Sequence, residues 1–122
     1  MTDTTELVDR YIAAWNETDG QVRRRLIAET YTAGATYVDP MLESQGQDGI
    51  DTMIRNVQER FPGHRFRRTG EVDAHHDRVR FTWELGPADG PAIVKGTDFA
   101  VVAAERLAAV TGFFDQVPAA AA

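Results

Sequence analysis

The feature that most constrains this chain is a change of hydrophobic period at Pro62-Gly63. Before it, apolar residues recur every three or four positions; after it, they alternate. A helical stripe scatters its apolar residues if laid out as a strand, and an alternating run scatters them if wound into a helix, so the two halves must form different layers. Upstream, Asp3 and Glu6 precede Leu7, Val8, Tyr11, Ile12 and Trp15, a helix start followed by one apolar face. Asn16 to Gly20 breaks that helix. Thr18 or Asp19 caps a second one, which turns Val22, Leu26 and Ile27 inward and Arg23, Arg24 and Arg25 mostly outward. Gln47 to Phe61 places Ile50, Met53, Ile54, Val57 and Phe61 at helical spacing, with Asp48 as cap and Pro62-Gly63 as stop. Between these helices Thr36-Tyr37-Val38 reads as a short strand. It ends at Asp39-Pro40, because proline disfavours helix at Asp39 and cannot donate to a ladder.

Downstream, Val79, Phe81, Trp83 and Leu85 alternate with Arg80, Thr82 and Glu84, so one sheet face is buried. Turn signals at His76-Asp77, at Gly86 to Pro91 and around Ala104 to Arg106 divide this half into four strands joined as consecutive hairpins. The expected fold class is α+β: three helices packed on a curved antiparallel sheet, enclosing a cone-shaped pocket for a small apolar molecule. At 122 residues and 43% apolar the chain can bury one core, and it reads as a single domain over residues 1–117 with a disordered alanine-rich tail at 118–122. Strict alternation along the last strand sends Leu107, Ala109, Thr111, Phe113 and Asp115 to one face. The opposite face then carries Ile93, Phe99, Val101, Val110 and Phe114, apolar enough to predict a homodimer.

Charge narrows the partners. A net charge of −6 repels nucleic acid and anionic membrane, which leaves a small molecule or another protein. No cysteine is present, and no apolar stretch reaches the roughly 18 residues a membrane span needs. The polar, acidic start from Thr2 to Glu6 is unlike a secretion signal and predicts a cytoplasmic location. His75 and His76 lie at a hairpin tip and point to opposite faces, so they predict no metal site. His64, Phe66 and Arg68 fall on one strand face and Arg65 and Arg67 on the other, which reads as exposed sheet surface. With no phosphate loop, serine elbow or cysteine nucleophile, acid and base chemistry remains.

Three segments bear on that chemistry together: Arg10-Tyr11-Ile12-Ala13-Ala14-Trp15-Asn16, Ala35-Thr36-Tyr37-Val38-Asp39-Pro40 and Val94-Lys95-Gly96-Thr97-Asp98-Phe99. In order and spacing they resemble the nuclear-transport-factor-2-like superfamily, in its SnoaL-like and ketosteroid-isomerase-like branches, from about Leu7 to Val117. The resemblance implies a cofactor-free isomerase that moves a proton next to a ketone. Asp39 would be the general base, with Tyr11 and a protonated Asp98 donating to the enolate oxygen. Tyr31 looks like a supporting tyrosine, whereas Ile54 stands where a second would be expected. Trp15, Tyr31, Tyr37, Phe61, Phe81, Trp83 and Phe113 are the candidate substrate-binding walls.

The residues leave other readings open. Asp98 lies among apolar positions, which disfavours its charged form, yet it also reads as a structural carboxyl bonded to Tyr11 or Tyr37. Asp39-Pro40 also reads as a turn in which the aspartate caps backbone amides; as a base, Asp39 is expected to swing between two carbons. A SnoaL-like polyketide cyclase would be led by Asp115 instead, and a non-catalytic domain would use the same hollow to hold a hydrophobic ligand.

Overall fold

The computed structural model describes residues 3–118, so residues 119–122 of the alanine-rich tail lie outside the described part. Its elements are α1 (Thr4–Asn16), α2 (Gly20–Thr30), β1 (Tyr31–Val38), β2 (Glu43–Gln45), α3 (Gly46–Arg60), β3 (His64–His75), β4 (Arg78–Pro87), β5 (Val94–Ala103) and β6 (Arg106–Gln116). No described helix is long and apolar enough to cross a membrane.

Local chemistry sets the helix ends. The Asp3 carboxylate accepts from the Thr5 and Glu6 amides and opens α1; Asp19 does the same for α2 through Gln21 and Val22. Asp48 sits inside the first turn of α3 rather than capping it, where a negative charge still suits the helix dipole. The expectation that Arg23 faces outward fails. Arg23 is buried between α2 and α3, its Nε donating to Asp51 at 2.6 Å and its Nη1 to the Glu17 carbonyl and Gln58. Opposite charge on α3, with acceptors for the remaining protons, makes that burial tolerable.

Strands β3 to β6 form the expected antiparallel meander, and the sheet order is β2-β1-β6-β5-β4-β3. Strand β1 begins at Tyr31, earlier than expected, and pairs parallel to β6, so the sheet is mixed rather than wholly antiparallel. The helices cover its concave face, and α1 and α3 supply Leu7, Val8, Ile12, Ile50 and Ile54 to the core.

Alternation along β6 is broken, which corrects the assignment of its faces. Val102 pairs with Leu107 but Val101 pairs with Ala109, leaving Ala108 as an extra residue; a second break leaves Asp115 unpaired between Phe114 and Gln116. Past Ala108 every side chain changes face. Val110 is therefore buried and Phe114 half-buried, while Phe113 is 52% exposed and Asp115 is exposed with it. The outer face carries Val38, Phe99 and Phe113, with the two phenylalanine rings 5.8 Å apart.

Candidate active site

A cavity of about 590 Å³ opens between α1, α3, the β1–β2 turn and the inner face of β3 to β6. Its floor is polar. Tyr11, from the buried face of α1, donates its phenol to Asp98 Oδ2 at 2.6 Å. Trp83 on β4 donates its indole N–H to Asp98 Oδ1 at 2.9 Å. Asp98 itself is only 1% exposed, and burial lifts its carboxyl from 3.8 to about 6, against the pull of the Tyr11 and Trp83 hydrogen bonds; the nearby negative charge of Asp39 adds to the rise. Burial, reinforced by Asp98, also pushes the Tyr11 phenol well above its ordinary value, so it stays protonated at neutral pH.

Asp39 lies just past the end of β1. Its Oδ2 accepts from Tyr37 at 2.7 Å, and its Oδ1 accepts from the Met41 and Leu42 amides, each at 2.8 Å. The turn reading of Asp39-Pro40 is therefore present in the structure, and three donors hold the carboxylate expected to swing. Burial raises the Tyr37 phenol too, so it remains a donor. Gly112 separates the two aspartates. A Cβ at that glycine would fall 2.8 Å from Asp98 Oδ1 and 3.2 Å from the Asp39 Cβ, so no larger residue fits without displacing one of them.

Of the residues singled out from sequence, Tyr11, Trp15, Tyr37, Asp39, Phe61, Trp83 and Asp98 line the cavity. Tyr31 and Phe81 lie behind that wall, fully buried, their rings 6.0 and 5.3 Å from Tyr11. Phe113 and Asp115 lie outside it on the other sheet face, where Thr97 Oγ1 donates to Asp115 at 2.7 Å. The bulge at Ala108 is the cause. Asp98 turns both carboxyl oxygens to protein partners: Oδ2 shares one proton-bearing contact with the Tyr11 phenol, and Oδ1 accepts from the Trp83 indole.

Sequence reasoning missed several walls. Phe66, read as exposed surface, packs 5.1 Å from Trp15 and 5.6 Å from Trp83, and Asn16 brackets its backbone with two hydrogen bonds. Ile12, Leu85, Val94 and Phe114 complete the apolar body, while Met41, Asn56, Glu59, Arg60 and Val117 form an exposed rim. Leu85 and Val94 followed from strand alternation, whereas Phe114 required the bulge to be known. Among the described residues no group of three or more histidine, aspartate or glutamate side chains is placed to hold a metal ion.

Comparison with known proteins agrees with this architecture. Residues 8–110 match the model of the SnoaL-like domain. The structure of a candidate isomerase of the SnoaL-like family from Agrobacterium tumefaciens str. C58 is 38% identical, with a TM-score of 0.87 over 91% of this chain and 96% of its own. A candidate ketosteroid isomerase from Kribbella flavida DSM 17836 is 17% identical, with a TM-score of 0.68 over 96% of this chain and 81% of its own. A candidate polyketide cyclase from Sinorhizobium meliloti is also 17% identical, with a TM-score of 0.69 over 88% and 93%. The last two bear on fold alone. No curated protein matches the sequence. The domain match and the 38% identical structure together establish that this chain belongs to the SnoaL-like family.

Proposed function

We propose that this protein is a cofactor-free acid–base isomerase acting next to the ketone of a small apolar, steroid-like or polyketide-like molecule. The observation that carries the reading is the Tyr11–Asp98 bond of 2.6 Å on the wall of an apolar cavity that also holds Asp39. Protonating Asp98 on Oδ2 reverses that bond: Asp98 then donates to the Tyr11 oxygen, and the phenol hydrogen turns to the cavity. There it meets the enolate oxygen that forms as Asp39 removes a proton from the neighbouring carbon. Asp39 returns the proton at the far end of the conjugated system, so the double bond shifts and the carboxylate is regenerated. Because Asp39 is fixed, the substrate must present both carbons to one carboxylate. The 38% identical relative, itself described as a candidate isomerase, supports this reading over a cyclase led by Asp115, whose side chain lies outside the cavity.

The test is turnover of a β,γ-unsaturated 3-ketosteroid, followed by the absorbance of the conjugated enone. Asp39→Asn should reduce it by about 10²- to 10⁴-fold, the usual range for a positioned general base. Turnover that is absent, or indifferent to Asp39, leaves the cavity as a container for a hydrophobic ligand. Asp98 acting as an acid also fixes the pH sign: its protonated fraction, and the rate with it, falls as pH rises through about 6. A rate that rises through that pH assigns Asp98 the base role instead. The outer face with Phe99 and Phe113 is proposed to pair two copies of the chain; light scattering that reports a 13.5 kDa particle would contradict this.

A further inference from the structure

Trp83 does more than wall the cavity. It pairs across the ladder with Gly96 on β5, and Asp98 follows two residues later on the same face. Diagonal neighbours of this kind lie within reach of an aromatic side chain when nothing stands between them. Gly96 leaves that space open, since a Cβ there would clash with the indole at Cζ2 and Cε2. The ring therefore lies over β5, and its Nε1 reaches Asp98 Oδ1 at 2.9 Å. On the other side, Gly112 of β6 pairs with Asp98 and leaves room for the same oxygen. Two glycines on adjacent strands thus shape a slot for one ring and one carboxyl.

The two donors to Asp98 differ in kind. A phenol can donate or accept, so the Tyr11 bond survives protonation of Asp98 by reversing; an indole N–H only donates. Oδ1 therefore stays an acceptor in either state, and an incoming proton goes to Oδ2. Every other neighbour works against the anion or is neutral. Tyr31 and Tyr37 face Asp98 from β1, the Asp39 carboxyl faces it from the turn beyond, Phe81 pairs with it from β4, and β6 offers Gly112. No described cation is ion-paired with it.

We propose that Trp83, seated by Gly96, is a positioning residue: its one-way N–H holds Oδ1 as acceptor, directs the proton of Asp98 to Oδ2 opposite Tyr11, and lowers the carboxyl's affinity for that proton. The consequence for turnover rests on the isomerase reading. The placement and affinity of the proton do not.

The test is a ¹³C-carboxyl NMR titration of the full chain labelled at aspartate Cγ, with the Asp98 signal assigned by its loss in Asp98→Asn. Three changes are compared with the wild type: Trp83→Phe, Gly96→Ala, and Trp83 replaced by 3-benzothienylalanine, which keeps the bicycle and puts sulfur in place of the N–H. The wild-type midpoint is expected near 6. Both Trp83 replacements should raise it by about one unit, a tenfold gain in proton affinity. Gly96→Ala should raise it too by displacing the ring, yet add nothing on top of Trp83→Phe. A folded benzothienyl variant that titrates at the wild-type midpoint overturns the proposal, even if Trp83→Phe fails to fold. Midpoints that shift as expected in a protein with no enone turnover sustain the proposal and sink the isomerase reading.

Discussion

The two cavity aspartates are held by opposite means. Asp39 is fixed from nearby in the chain, by a tyrosine two residues before it and by amides two and three residues after it. Asp98 is fixed from afar, by Tyr11 87 positions away and Trp83 on the neighbouring strand, and it is far more deeply buried. The hydrogen bonds that hold Asp39 come from its own few residues, so they form without the long-range packing that Asp98 needs. The proton affinity of Asp98 exists only when three elements are packed together. In this site, then, placement is a local property and acidity a global one.

That contrast can be broken most sharply at the phenols. Tyr11→Phe should cut enone turnover by about 10²- to 10³-fold, as loss of a donor to a developing oxyanion usually does. Tyr37→Phe should cut it less than tenfold, because Asp39 keeps both amide donors; similar kcat losses in the two variants would erase the distinction. Next is stability against pH. Folding raises the Asp98 carboxyl from 3.8 to about 6, so below pH 4 it contributes no penalty, and between pH 4 and 6 the fold loses about 3 kcal/mol, a loss complete above 6, by holding a poorly solvated anion. Urea melts at pH 4 and pH 8 should show this loss beside the other titrations, and Asp98→Asn should remove that share of it. Gly112→Ala strikes both aspartates at once. Overpacking against Asp98 Oδ1 and the Asp39 Cβ should cost about 1–3 kcal/mol, read from the same melts. Smallest is the stability cost of Tyr37→Phe, about 1 kcal/mol for one hydrogen bond with its partner still satisfied by others.

The same division governs how much could be read from sequence. Helix starts at Asp3 and Asp19, the stop at Pro62-Gly63 and the alternation of β4 are local signals, and they placed the layers correctly. Tyr11, Asp39 and Asp98, which stand out in three separate segments of the sequence, line one cavity. The parallel pairing of β1 with β6 leaves no periodic trace, because its partners are more than 70 residues apart. The Trp83–Asp98 bond depends on an absent side chain at Gly96, which composition and period do not register. Arg23 looked like surface because its partner Asp51 comes from another helix.

The extra residue at Ala108 behaves as a reading frame for the strand that follows it. Everything from Val110 to Phe114 is assigned inside or outside by that one residue, so the choice of Phe114 for the cavity and Phe113 for the surface is made several positions upstream. Deleting Ala108 would leave the composition almost unchanged and exchange the two faces. Thr111 or Phe113 would then be carried toward the space that Gly112 keeps open between the aspartates. Among SnoaL-like chains built this way, a single-residue insertion or deletion in the last strand would rewrite the ligand cavity more thoroughly than several substitutions within it.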